Sequence, residues 1–110
     1  AKCVVALMLA GRGVDLRAVD KNGMQPIHHA AMHGHAVCVR VMEQEGADVK
    51  AAANGGDQPI HLAAAGGHTK CVLALAKVGA DINALNKNNY SPLGYAKHNN
   101  HKECVAAMQK

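Results

Sequence analysis

The sequence repeats itself every 33 residues. The three prolines Pro26, Pro59 and Pro92 show this spacing, and aligning residues 20–52 with 53–85 without a gap gives 15 identities in 33 positions. The same interval separates His35, His68 and His101, and also Cys38, Cys71 and Cys104. Chance does not align residues as rare as Pro, His and Cys in this way. The period therefore predicts stacked equivalent units in place of one central core.

Each copy is predicted to be one small supersecondary unit. In the second full copy, Asn54–Gly56 is typical of a tight turn, and Pro59 suits the first turn of a helix because its missing N–H costs nothing there. Gly66 and Gly67 end that helix and allow the chain to reverse. A second helix follows over His68–Lys77 and leads into an extended segment. Neither helix can bury its apolar face alone, so neighbouring copies must stack.

The 33-residue register divides the chain into four parts. They are a partial N-terminal repeat over 1–19 with only a second helix and loop, full repeats over 20–52 and 53–85, and a C-terminal capping repeat over 86–110. The first part lacks the helix that would cover it. We therefore expect under-covered apolar surface at Val4, Val5, Leu7 and Met8. This edge implies either further protein before Ala1 or a bound partner.

Composition narrows the possible functions. Hydrophobic residues make up 49% of the 110 residues but aromatic residues only 2%, with no Phe or Trp, so the core must consist of small, closely packed side chains. The net charge is +4, and its cations are scattered rather than clustered, which argues against nucleic-acid binding. No apolar stretch approaches the roughly 20 residues that span a bilayer, so membrane insertion is not expected.

The segments Gln25–His35 and Gln58–His68 resemble the ankyrin repeat, as do Gly46–Val49 and Gly79–Asn83. This resemblance covers nearly the whole chain. It implies an all-α ankyrin-repeat solenoid, in which antiparallel helix pairs stack and hairpin-like loops project from them. It also implies protein binding without catalysis.

The chain departs from the family pattern in two ways. Gln25, Gln58 and Ser91 stand where the family usually has Thr before Pro; because Gln is a weak N-cap, we expect less stable helix starts in two repeats. The last copy carries Gly94 at the His28 and His61 position, Lys97 at a position where Ala is expected to be buried, and Asn100 in place of the reversing Gly. These changes fit an outward-facing end repeat.

The resemblance places partner binding on the concave face, which loop tips and first helices would form. The candidate partner-binding residues on this face are Lys21, Asn22, Met24, Met32, His33, Asp57, Lys87, Asn88, Tyr90 and His98. Tyr90 is the strongest candidate, because aromatic residues are enriched at interface hot spots. The alternative is that Tyr90 covers the open end of the last repeat.

The eight histidines do not predict a metal site. His28 and His61 share one repeat position and His35 shares another with its equivalents, so their recurrence follows from repeat geometry, in which they are expected to bond neighbouring backbone. His29 and His33 are four residues apart on a predicted helix, but no Cys or carboxylate stands at ligand spacing beside them. We predict no metal and no cofactor. No nucleophile or phosphate-binding motif is present, so the chain is not predicted to be an enzyme.

The positions of the cysteines predict their redox state and, from it, the cellular compartment. Stacked helices lie roughly 8–10 Å apart, too far for disulfides between successive copies. We therefore expect three cysteines to be reduced and buried and to pack as small hydrophobic residues: Cys38, Cys71 and Cys104. Cys3 lies outside their register. This predicts a cytoplasmic or nuclear location.

The loop after the second helix carries a candidate modification site. Leu75, Asp81, Ile82 and Asn83 resemble the pattern that asparaginyl hydroxylases accept in ankyrin domains. The alternative is that Asn83 only closes its loop by hydrogen bonding. Asp48 and Asp81 recur at the repeat interval, and we expect them to bond the neighbouring loop backbone.

These observations leave three function classes open. The first is a non-catalytic protein–protein interaction module, a monomer or a fragment of a longer chain. The second is a regulatory ankyrin segment within a larger enzyme or channel. The third is a weakly basic surface that binds nucleic acid or anionic lipid, which a strong loss of binding with added salt would indicate.

Overall fold

A computed structural model describes residues 19–44 and 46–109. This part contains six α-helices and no β-strand. They are α1 (Pro26–Met32), α2 (Ala36–Gln44), α3 (Pro59–Ala65), α4 (Thr69–Lys77), α5 (Pro92–His98) and α6 (Lys102–Met108). The predicted apolar edge at Val4, Val5, Leu7 and Met8 lies outside the described residues.

The helices form two layers. Within each repeat the first helix packs against the second, as α1 does on α2, α3 on α4 and α5 on α6. Between repeats, α1 packs on α3 and α3 on α5, while α2 packs on α4 and α4 on α6. First helices thus form one layer and second helices the other. The predicted solenoid of stacked helix pairs is confirmed.

The core lies between the layers and repeats with the sequence. Ile27 and Ile60 are fully buried at equivalent positions, and each contributes roughly 1.5–3 kcal/mol through burial. Ala31, Ala63 and Ala64 are also fully buried, and their small side chains allow successive first helices to approach closely. Second helices contribute a larger set of fully or almost fully buried residues: Cys38, Val39, Cys71, Val72, Leu75 and Cys104.

The first helices begin differently in the last repeat. Each has Pro at its start, and the preceding residue is extended. Ser91 Oγ accepts a hydrogen bond from the backbone N–H of Gly94 at 2.9 Å. By contrast, the buried Oε1 atoms of Gln25 and Gln58 have no hydrogen-bond partner among the described residues. The glutamines leave an acceptor unsatisfied where serine provides a cap.

Glycine is required at two turn positions except in the last repeat. Gly56 and Gly67 adopt φ values of +84° and +73°; a Cβ there would lie 2.8 Å from the backbone N of Lys87 and 2.6 Å from Nδ1 of His101, respectively. Their equivalents one repeat later, Asn89 and Asn100, keep positive φ values of 66° and 60°. Both asparagines are exposed, because no following loop or histidine packs against them in the described chain. Lys97, predicted to face outward, is also exposed.

The prediction that the three repeat-register cysteines are all reduced is wrong for Cys38. Cys38 is disulfide-bonded, whereas Cys71 and Cys104 are free and buried. The spacing argument excludes only bonds between stacked register positions, and it carries no information about a cysteine outside the register. Burial raises the pKa of the Cys71 thiol to about 11 and also raises that of Cys104.

The helices of the described ranges are short. None of them has both the length and the apolar content that a bilayer crossing requires.

Candidate protein-binding surface

The buried histidines of the first helices join each repeat to the next. His28 Nδ1 accepts a hydrogen bond from the backbone N–H of Gln25 at 3.0 Å, so Nε2 carries the proton. That Nε2–H donates to the carbonyls of Ala51 at 2.9 Å and Asp57 at 3.2 Å. The prediction that this histidine bonds neighbouring backbone is confirmed. Burial lowers the pKa of His28, which keeps the ring neutral.

His61 repeats this arrangement one copy later. Its Nδ1 accepts from the N–H of Gln58 at 3.0 Å, and its Nε2 donates to the carbonyls of Ala84 at 2.8 Å and Tyr90 at 3.0 Å. Both ring nitrogens are thus engaged in each buried histidine. Neither ring has a free nitrogen for a metal ion.

A second pair of histidines joins the repeats at the helix reversals. Nε2 of His68 lies 3.0 Å from the carbonyl oxygen of Met32, and Nε2 of His101 lies 2.9 Å from that of Ala65. Asn99 Nδ2 donates to the same Ala65 carbonyl at 3.0 Å. Carbonyls at the ends of first helices, which helix geometry leaves unpaired, are satisfied by the following repeat.

The loop tips are hydrogen-bonded to one another. The backbone N–H of Asn54 donates to the carbonyl of Asn22 at 3.0 Å, and the N–H of Lys87 donates to that of Gly55 at 3.1 Å. The Asn54 side chain adds a bond to the carbonyl of Lys21 at 3.2 Å. These contacts hold the tips of successive repeats in fixed register.

A polar network connects the last two repeats behind the tips. Asn86 Nδ2 donates to Asp57 Oδ1 at 2.8 Å and lies 2.7 Å from the Tyr95 hydroxyl, which itself donates to Asp57 Oδ1 at 3.2 Å. Burial, and then the charge of the Asp57 carboxylate, raise the pKa of Tyr95. One oxygen of the Asp57 carboxylate, Oδ1, therefore accepts two hydrogen bonds within the protein. Asp57 thus has a structural role, and its predicted contact with a partner stays a prediction.

Tyr90 packs against this network through Tyr95. Its ring stacks on Tyr95 with a centroid distance of 5.2 Å and an interplanar angle of 21°, and its centroid lies 6.4 Å from that of His98. Tyr95 in turn meets the buried His61 edge to face at 6.0 Å. Tyr90 nevertheless remains 43% exposed. One side of its ring is held by the protein while the rest faces outward.

Seven of the ten predicted partner-binding residues fall into three groups. Asn22, Met24 and Asp57 border one cavity of about 230 Å³ between the first two loop tips. Tyr90 and His98 form the aromatic group, and Met32 and His33 lie apart from both, at the end of α1. The tip residues Lys21, Asn22, Lys87 and Asn88 are exposed, as are His33 and His98.

Sequence reasoning missed Tyr95, which supports Tyr90. A signal for it exists in the repeat. Tyr95 follows Asn86 by nine residues, as His29 follows Asp20, and His29 Nε2 contacts Asp20 Oδ2 at 2.9 Å. The same pair of positions is thus bonded in the first and last of these repeats, whereas Ala53 and Leu62 occupy it in the middle one.

The recurring aspartates of the second loops act locally. Asp48 Oδ1 accepts from the backbone N–H of Lys50 and Asp81 Oδ1 from that of Asn83, both at 2.8 Å. Each therefore bonds two residues ahead in its own loop, and not the neighbouring loop as expected. Asn83 itself is exposed, and its modification stays a prediction.

Comparison with known proteins agrees with this geometry. No individual curated protein matches the chain. A family model described as ankyrin repeats, in three copies, matches residues 1–86. Helices α5 and α6 lie beyond that match and continue the same packing. The stacked helix pairs, the histidine links between repeats and the family match together show that the chain belongs to the ankyrin repeat family.

Proposed function

We propose that this chain is a non-catalytic protein–protein interaction module whose partner binds the face formed by the loop tips and first helices. One observation carries the proposal. Tyr90 is held by stacking on Tyr95 while 43% of its surface remains exposed. An aromatic ring fixed in position loses little conformational freedom on binding, which is typical of interface hot spots.

The rest of the face supports a protein ligand. The loop tips are hydrogen-bonded to each other, so they are organised before a partner arrives. Met24 borders the cavity between the first two tips, and a flexible thioether adapts well to an apolar side chain of a partner. Exposed Lys21 and Lys87 at the tips favour a partner with acidic residues at the rim of the contact.

The middle repeat has small side chains on this face, so the surface is nearly flat there. Ala65 ends its first helix and Gly66 follows it, at positions where the outer repeats have larger side chains. An extended partner segment can therefore run close to the backbone there, with Met24 on one side and Tyr90 on the other.

Alanine substitution tests this proposal. The partner is first captured from an extract of the source cell with the unsubstituted protein, and its affinity is then measured for Tyr90→Ala, Met24→Ala and Met32→Ala. We expect Tyr90→Ala to weaken binding by about tenfold or more. Leu85→Ala is the matched control, since Leu85 is an exposed apolar residue that belongs to none of the three groups.

Two outcomes would contradict the proposal. Unchanged affinity in all three variants would place the partner elsewhere. An affinity that falls strongly with added salt but is unchanged in Tyr90→Ala would indicate a basic surface for nucleic acid or anionic lipid instead.

A further inference from the structure

We propose that the groove between the second helices α2 and α4 is a separate docking site for an acidic amphipathic helix of a partner protein. The groove encloses about 670 Å³ and lies on the layer opposite the first helices. It therefore does not depend on the partner-binding face proposed above.

The groove is apolar although it faces solvent. Val37 is 60% exposed, Leu73 48% and Val78 40%, and all three line it. The small side chains of Ala36 and Ala74 also line the groove and leave room between the helices. A soluble protein that exposes several large apolar side chains around one depression gains by covering them.

Cations and apolar side chains alternate across the two helices. Val37 on α2 corresponds to Lys70 on α4 in the 33-residue register, and Arg40 corresponds to Leu73. On α4, Lys70, Leu73 and Lys77 follow at helical spacing, so they lie along one stripe of the surface. The apolar centre is thus flanked by positive charge on both sides.

This positive charge is not neutralised within the described residues. Among the described residues, Arg40, Lys70 and Lys77 line the groove with a single carboxylate, that of Glu43. The one ion pair in residues 19–44 and 46–109 joins His29 to Asp20, elsewhere in the protein. A ligand with an apolar stripe and flanking carboxylates would match both features of the groove.

The dimensions favour a helix as the occupant. Helices α2 and α4 have nine residues each, or roughly 13–14 Å at 1.5 Å per residue. A partner helix of two to three turns fills that length. A second copy of this groove is a poor occupant, because its cations would face cations. A nucleic acid is also a poor match, because the centre of the groove is apolar and its lining has no aromatic ring for base stacking.

A designed peptide provides the probe. It is a helix-stabilised peptide of about three turns, with Leu along one stripe and Glu at most other positions. It carries a fluorophore for anisotropy measurements. A second peptide with every Glu replaced by Lys is the control. We expect the acidic peptide to bind the folded protein and the basic one to bind at least about tenfold more weakly. NMR shift changes should centre on Val37, Leu73 and Val78.

Two matched pairs of variants locate the binding. Leu73→Ser should weaken binding of the acidic peptide by about tenfold or more, whereas Leu85→Ser, which changes the same residue type at an exposed site outside the groove, should not. Reversing the three groove cations as Arg40→Glu, Lys70→Glu and Lys77→Glu should abolish binding. Reversing three exposed lysines elsewhere, as Lys50→Glu, Lys97→Glu and Lys102→Glu, makes the same change in net charge and should retain most of it.

Several outcomes would overturn the proposal. They are equal binding of the two peptides, equal losses in the matched variants, and binding of anionic vesicles or an RNA oligomer in place of the acidic peptide. Self-association that the Leu73→Ser change removes would assign the groove to a second copy. Far-ultraviolet circular dichroism confirms that each variant is folded, and Val37→Ser replaces Leu73→Ser if it is not. Tyr90→Ala should leave peptide binding unchanged, which separates this test from that of the partner-binding face.

Discussion

Asn100 in the last repeat shows which constraint demands glycine at its position in the other repeats. Gly67 and Asn100 occupy equivalent positions with nearly the same left-handed backbone, at φ +73° and 60°. Asparagine tolerates that conformation better than most residues, so the backbone alone does not demand glycine. The His101 ring beside Gly67 does, because it leaves no room for a Cβ.

This contrast predicts opposite results for two exchanges. Gly67→Asn should lower the free energy of unfolding by about 1–3 kcal/mol, since the new side chain must displace the His101 ring. Asn100→Gly should change it by about 0.5 kcal/mol or less. Urea denaturation followed by circular dichroism measures both. If Gly67→Asn changed the free energy of unfolding as little as Asn100→Gly, the His101 ring would be able to move aside freely and the expectation would be wrong.

A second residue-scale prediction concerns pH. Burial holds the pKa of His28 below its ordinary value of 6.5, which the unfolded chain keeps. As pH falls below that value, the unfolded state binds the proton first, so the contribution of neutral His28 to stability is present above pH 6.5 and lost as pH falls through the folded-state pKa. We expect a lower unfolding midpoint at pH 5 than at pH 7. In His28→Gln the dependence over this range should be smaller, and an identical pH profile would contradict the assignment.

The sequence predicted the hydrogen bonding of the histidines but not the tyrosine stack. His28 and His61 recur at one repeat position, and a recurring polar residue in a stacked array implies a recurring contact. Tyr95 occurs once, where Leu62 and His29 stand in the other copies. Its stacking on Tyr90 depends on ring orientations that a residue pattern does not specify.

At the scale of elements, the start of each first helix limits its stability. Gln25 and Gln58 bring a buried amide oxygen that receives no hydrogen bond from the described residues. The reverse contact persists, since their backbone N–H groups still donate to the following histidines. Half of the usual reciprocal arrangement is therefore present in these repeats, and Ser91 supplies the other half in the last one.

Gln58→Thr should raise the free energy of unfolding by about 0.5–2 kcal/mol, because a threonine hydroxyl can accept from the backbone N–H of His61. Ser91→Ala should lower it by a similar amount, because it removes the cap that Gly94 uses. Thermal unfolding midpoints for both variants test the pair. A midpoint for Gln58→Thr at or below that of the unsubstituted protein would contradict the expectation that this helix start lacks a cap.

Helix positions followed from the sequence more readily than surface features did. Proline and the paired glycines mark where α3 begins and ends, and the structure places it at Pro59–Ala65. The groove between α2 and α4 could not be read in the same way. Its apolar residues Val37 and Leu73 lie at different repeat offsets, so the 33-residue period does not bring them out as one set.

At the scale of the whole molecule, each repeat is stabilised by its neighbours. First helices pack on first helices and second helices on second helices along the array. Within residues 19–44 and 46–109, α5 and α6 pack on one neighbouring repeat whereas α3 and α4 pack on two, so opening of this segment is expected to begin at α5 and α6.

Thiol labelling can detect this order of opening. Cys71 in α4 and Cys104 in α6 are both fully buried, and burial raises the pKa of each. Neither should react with a thiol reagent in the closed state. We expect Cys104 to be modified faster than Cys71 when site-specific labelling is followed by mass spectrometry at constant pH. Equal rates at both sites would indicate that the two repeats open together.

The histidine links have a further consequence for how such a chain changes in length. His28 and His61 donate to main-chain carbonyls, which every amino acid supplies. One copy can therefore replace another as the acceptor without regard to its side chains. A gene segment encoding 33 residues could be duplicated or deleted in frame and still leave every buried imidazole with a partner. These hydrogen bonds therefore allow the chain to gain or lose whole repeats, because the acceptor is always a backbone carbonyl.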